Sequence, residues 1–70
     1  MNDTIEITIN GQKETIPGFS TISSLIHHFK EYDTALIVEY NGRFVYPREY
    51  DEITVREGDR IEFVNPNFGG

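Results

Sequence analysis

Apolar and polar residues alternate from Ile5 to Ile9, with the three isoleucines Ile5, Ile7 and Ile9 separated by Glu6 and Thr8. A period of two predicts a strand with those isoleucines turned inward. Asn10-Gly11 follows at once. Both central positions of a type I′ turn require positive φ, so this dipeptide predicts a hairpin into a returning strand over Gln12 to Ile16. That second strand is polar apart from Ile16, as suits a sheet edge, and Pro17-Gly18 closes it. Ile22, Leu25, Ile26 and Phe29 then recur at i, i+3, i+4 and i+7, which predicts one helix with an apolar stripe. Ser20 or Thr21 can cap its first turn, but the Glu or Gln of a capping box is missing, and the helix is expected to fade near Glu31 to Asp33.

Ala35 to Tyr40 is β-rich and apolar on both faces, the pattern of an interior strand, and Asn41-Gly42 predicts a second hairpin before Arg43 to Tyr46. Pro47 stops that strand. The stretch from Arg48 to Arg56 has no clear period, with Ile53 and Val55 its expected buried residues. Glu57-Gly58-Asp59 reads as a turn, and Arg60 to Val64 as a last strand with Ile61 and Phe63 on one face. A hairpin, a helix, a strand pair, an irregular stretch and a final strand predict an α+β fold. Its natural layering is a mixed four- to five-stranded sheet with one helix packed on one face. This is the element order of the ubiquitin-like β-grasp fold. The domain is expected over residues 1–64 and a flexible C-terminal diglycine tail over 65–70, because Pro66 cannot donate to a ladder and the glycines have no side chains to pack.

Composition narrows the chemistry. Seventy residues build one small core and leave little room for a deep enzyme cleft. The absence of cysteine removes disulfides, thiolate metal sites and a cysteine nucleophile. Twelve acidic against six basic residues give a net charge of −6, which repels nucleic acid and anionic membrane surfaces. No apolar run has the length of a membrane span and the N-terminus lacks a signal-peptide pattern, so a cytoplasmic location is expected.

The stretches Val38-Glu39-Tyr40-Asn41-Gly42, Pro47-Arg48-Glu49, Glu57-Gly58-Asp59-Arg60-Ile61-Glu62-Phe63-Val64 and Phe68-Gly69-Gly70 resemble the ThiS sulfur carriers of thiamine biosynthesis. Asn65-Pro66-Asn67 departs from the more aliphatic residues common in that family. The resemblance implies that the chain is not an enzyme but a co-substrate whose modification site is the carboxylate of Gly70. An adenylating enzyme of the E1-like, ThiF type would use ATP and Mg²⁺ to activate that carboxylate, and a persulfide donor would then supply sulfur. The resulting thiocarboxylate would serve a thiazole synthase. No cofactor would be bound by this chain itself. By the same resemblance Gly69 supplies slim backbone beside the reacting group. Phe68 either docks in a partner pocket or lies loosely against the sheet.

Other constellations carry less. His27 and His28 are helical neighbours that face different ways, and no further His or Cys completes a ligand set. Asp51, Glu52, Glu57 and Asp59 match no calcium-loop spacing and read as a solvated face. Among Phe44, Tyr46, Tyr50 and Phe63, some are expected on an open sheet face where a partner could dock. Three alternatives stay open: the same chemistry in another pathway, as in the small subunit of molybdopterin synthase; a ubiquitin-like protein modifier; and a binding module for which the diglycine is incidental.

Overall fold

The computed structural model describes residues 3–66. In chain order these form β1 (Thr4–Ile9), β2 (Gln12–Pro17), α1 (Ile22–His28), β3 (Ile37–Tyr40), β4 (Arg43–Val45), a single 3₁₀ turn (Pro47–Glu49) and β5 (Arg60–Val64). The five strands make one sheet in the order β2-β1-β5-β3-β4. The β1–β5 pair is parallel and the other pairs are antiparallel, so the sheet is mixed, with the polar β2 on one edge as its pattern predicts.

Inward-facing residues from β1, β2, β3, β4 and β5 join Ile22 and Leu25 of α1 in one core, with Val55 from the irregular stretch. Ile7, Ile16, Ile22, Leu25, Val38, Val45 and Ile61 are buried completely or almost so. Ile5, Ile26, Phe29, Tyr40 and Ile53 are partly buried against them. Both Asn-Gly turns form as expected, with φ of +50° and +83° at Asn10 and Gly11 and +51° and +82° at Asn41 and Gly42.

The structure departs from the sequence pattern at the helix ends. At the start, the Thr21 hydroxyl accepts the Ser24 amide at 3.1 Å and the Ser24 hydroxyl accepts the Thr21 amide at 2.9 Å. A capping box therefore exists without Glu or Gln, because a serine three residues on can reach back in the same way. At the other end the last helical residue is His28, earlier than the expected fade near Glu31 to Asp33. Lys30 turns to a φ of +57°, the Glu31 amide bonds to the Ile26 carbonyl and the Lys30 amide to the His27 carbonyl. These are the paired bonds of a Schellman closure. A residue with a Cβ is strained in this left-handed conformation, which glycine adopts freely. Lys30→Gly is therefore expected to raise stability by about 0.5–1 kcal/mol, read as a higher denaturation midpoint in urea with an unchanged slope.

Two strand boundaries also shift. β3 begins at Ile37 rather than Ala35 because the Asp33 carboxylate accepts the Ala35 amide at 2.8 Å and holds the chain in a turn. β4 ends at Val45 rather than Tyr46 because the Tyr46 amide donates to the Glu49 carboxylate at 2.9 Å instead of to a neighbouring strand. The irregular stretch closes over the start of the helix: the Ile22 and Ser23 amides bond to the carbonyls of Ile53 and Tyr50, and Val55 to that of Ser20. Orphan donors of the first helical turn are satisfied in this way.

Candidate functional site

The expected site residues Phe68, Gly69 and Gly70 lie outside the described residues, as does most of the expected tail from 65 to 70. What the structure describes is the strand that leads to them. β5 is the middle strand of five, paired with β1 on one side and β3 on the other. Its end at Val64 lies opposite Ile37, the first residue of β3. Beyond it, Asn65 is half-buried and its side-chain amide donates to Glu31 Oε1 at 3.1 Å, tying the chain to the segment that follows α1.

Three side chains fix the register of β5, and each comes from a turn. Asn10 and Asn41 occupy the left-handed positions of the two hairpins, and their side-chain oxygens accept amides of β5 as well. Asn10 Oδ1 takes the Phe63 amide at 2.8 Å, carrying the parallel ladder past the end of β1, and Asn41 Oδ1 takes the Arg60 amide at 2.8 Å. The third is Asp59, immediately before the strand. Its Oδ2 accepts the Tyr40 hydroxyl at 2.6 Å and the Arg56 amide at 2.8 Å, and its Oδ1 accepts the Asn41 side-chain amide at 3.2 Å. Its own carbonyl accepts the Thr8 amide at 2.9 Å. Gly58, at a φ of +84°, makes the turn that presents Asp59 to these donors. The sequence reading of Gly58-Asp59 as a turn is correct, but the carboxylate also ties Tyr40 of β3 and Asn41 of the turn between β3 and β4 to the segment that leads into β5.

Electrostatics follows from this geometry. Desolvation works against the Asp59 charge, but the bonds from Tyr40, the Arg56 amide and Asn41, with the Arg56 charge, outweigh it and hold the carboxyl below the usual range. Burial, together with donation to Asp59 and the nearness of its charge, pushes the Tyr40 hydroxyl up to about 12. Glu49 is lowered chiefly by the Tyr46 amide, with help from Arg43, whose Nη1 lies 3.3 Å from its Oε1. These groups serve the fold through the bonds just described, and among the described residues no three His, Asp or Glu side chains converge as a metal site.

His27 and His28 are both exposed, and His27 meets Tyr32 edge-on. Of the aromatic residues considered for an open face, Phe63 belongs to the core and Tyr50 is partly buried against it. Phe44 and Tyr46 are exposed at 46% and 48% and pack edge to face, 4.9 Å apart, with the Arg48 guanidinium over the Tyr46 ring. The sequence pattern missed Phe19, which is 88% exposed at a φ of +64°. It follows Pro17-Gly18 and has no periodic neighbour to mark which way it points.

A family model described as the ThiS family matches residues 3–70. The chain is similar to the crystal structure of a thiamine biosynthesis protein, ThiS, from Geobacter metallireducens, at 29% identity and a TM-score of 0.79, covering 94% of this chain and 100% of that one. It is also similar, in fold alone, to a chain from a structure concerning molecular mimicry of SUMO that promotes DNA repair. That match has 15% identity and a TM-score of 0.61, and covers 91% of this chain and 94% of that one. No curated protein matches it by sequence.

Proposed function

Given that the chain belongs to the ThiS family, we propose that it is a sulfur carrier of thiamine biosynthesis whose Gly70 carboxylate is adenylated and then converted to a thiocarboxylate. The observation that carries this reading is the extent of the family match, which continues past β5 through Phe68-Gly69-Gly70 to residue 70. The 29% identity to a protein described as a thiamine biosynthesis protein supports the pathway.

The chemistry is that of an unreactive acid made reactive. A carboxylate oxygen of Gly70 attacks the α-phosphorus of ATP, pyrophosphate leaves, and the acyl carbon gains AMP as a good leaving group. A persulfide sulfur then attacks that carbon and AMP departs. A thiol cleaves the resulting S–S bond, its own oxidation supplying the two electrons, and the sulfur remains on Gly70 as a thiocarboxylate. ATP and Mg²⁺ act in the site of an adenylating partner. The contribution of this chain is the folded domain that a partner recognises and a diglycine end whose residues, without Cβ atoms, suit a narrow channel. The thiocarboxylate is then a nucleophile for a thiazole-forming enzyme.

The first step has its own assay. With a ThiF-type adenylating enzyme, the chain is expected to support ATP–pyrophosphate exchange that disappears when Gly70 is deleted. Exchange that proceeds equally without Gly70, or no exchange at any concentration of the intact chain, would contradict the proposal.

A further inference from the structure

The sheet face turned away from α1 carries an arrangement that the isolated chain leaves unbalanced. Alternation along the strands places Glu39, Phe44, Arg60, Glu62 and Val64 there, opposite in sense to the core residues Val38, Val45, Ile61 and Phe63. The register sets Glu39 directly across from Glu62 on one side and from Phe44 on the other. Side chains directly opposite on antiparallel strands have Cβ atoms about 5 Å apart, and like charges so placed are destabilising. Among the described residues no hydrogen bond or ion pair joins either carboxylate to a partner, and Arg60, which borders the same shallow depression of about 290 Å³, pairs with neither. Gly42 leaves one side of that depression open, Val64, exposed at 42%, lines it with apolar surface, and Phe44, exposed at 46%, stands beside it across the strand from Glu39.

We propose that this uncovered face docks a partner protein whose contact surface presents an arginine or lysine between apolar side chains. The cation lies across Glu39 and Glu62, and the apolar groups lie against Phe44 and Val64. Charge complementarity selects that occupant: the chain carries −6 overall, so nucleic acid and anionic lipid are repelled, while a basic surface is steered toward it. The framing apolar residues favour a guanidinium or ammonium on a side chain, whose stem they can cover, over a hydrated metal ion. Position selects it as well. Val64 ends β5, six residues from Gly70, so a protein seated here has the chain terminus within about 20 Å. The choice of an adenylating enzyme as that partner rests on the sulfur-carrier reading above.

A group that strains the free domain and holds a partner gives effects of opposite sign in two measurements. Glu39→Lys is expected to raise the melting temperature of the free chain by about 2–5 °C, by replacing a repulsion across β3 and β5 with an attraction. The same variant is expected to weaken binding to the ThiF-type adenylating enzyme about tenfold or more by titration calorimetry. Glu62→Gln should move both quantities the same way by less, and binding of the unaltered chain should weaken as salt is raised. A more stable Glu39→Lys chain that binds as tightly as the original overturns the docking face. Failure of the unaltered chain to bind that enzyme at all overturns both proposals. Binding that is lost in Glu39→Lys, with no activation of Gly70 in the original, keeps the docking face and overturns the sulfur-carrier reading.

Discussion

Replacing Asp59 by alanine is expected to lower stability by about 2–3 kcal/mol and the melting temperature by roughly 10–20 °C. Three donors lose their acceptor together: the Tyr40 hydroxyl, the Arg56 amide and the Asn41 side chain. Each bond to a carboxylate contributes more than a neutral one, and the sum is reduced here because the site is only partly buried. A domain of this size has about 5 kcal/mol in hand, so the loss is a large share of it. Tyr40→Phe removes one of the three bonds and should cost about 1 kcal/mol.

The same contact sets a pH signature at each end of the scale. The folded pKa of Asp59 is depressed, so its contribution is complete above the unfolded value near 4 and is lost as pH falls through the lower folded value. Tyr40 has the opposite sign. Its folded pKa of about 12 exceeds the unfolded value near 10, so its contribution is complete below pH 10 and is lost as pH rises through 12. Thermal melts across pH should therefore show an acid loss that Asp59→Ala lacks and an alkaline loss that Tyr40→Phe lacks. Identical pH profiles for the variants and the original would contradict this assignment.

Adding a single residue after Gly70 is expected to abolish sulfur loading, a loss of at least a thousandfold, while leaving the melting temperature unchanged. The added peptide bond removes the carboxylate that ATP would activate and puts an amide, a very poor nucleophile toward phosphorus, in its place. Among the described residues the core is complete by Phe63 of β5, so a residue added after Gly70 is expected to leave it intact. An extended chain that still gains sulfur would place the modification elsewhere. One that loses stability would tie residue 70 to the fold.

Local signals in the sequence carried much of this fold. The Ile5, Ile7, Ile9 alternation gave β1, the two Asn-Gly pairs gave both hairpins, and the Ile22, Leu25, Ile26, Phe29 stripe gave α1, because each depends on neighbours within a few residues. What was not legible depends on distant partners or on choices with no residue bias. Ser24 completes a capping box that the absence of Glu seemed to exclude, and Lys30 takes a conformation that side chains of its kind rarely adopt. Asp59 was legible as a turn residue but not as the acceptor for Tyr40, nineteen positions away. The pairing of Glu39 with Glu62 became visible only once β5 was placed beside β3, since no local pattern fixes that register. The candidate site is the reverse case: Gly70 was legible as the end of a diglycine in a family-like sequence, and it lies beyond the described residues.

The central claim concerns one atom on Gly70, and intact mass spectrometry reads it directly. The chain is incubated with a ThiF-type adenylating enzyme, ATP, Mg²⁺, a persulfide donor and a thiol, and fragmentation then locates any change. The expected result is a mass gain equal to the exchange of one oxygen for one sulfur, confined to the C-terminal glycine and dependent on ATP. An unchanged mass with all components present, or sulfur found on any other residue, would contradict the claim.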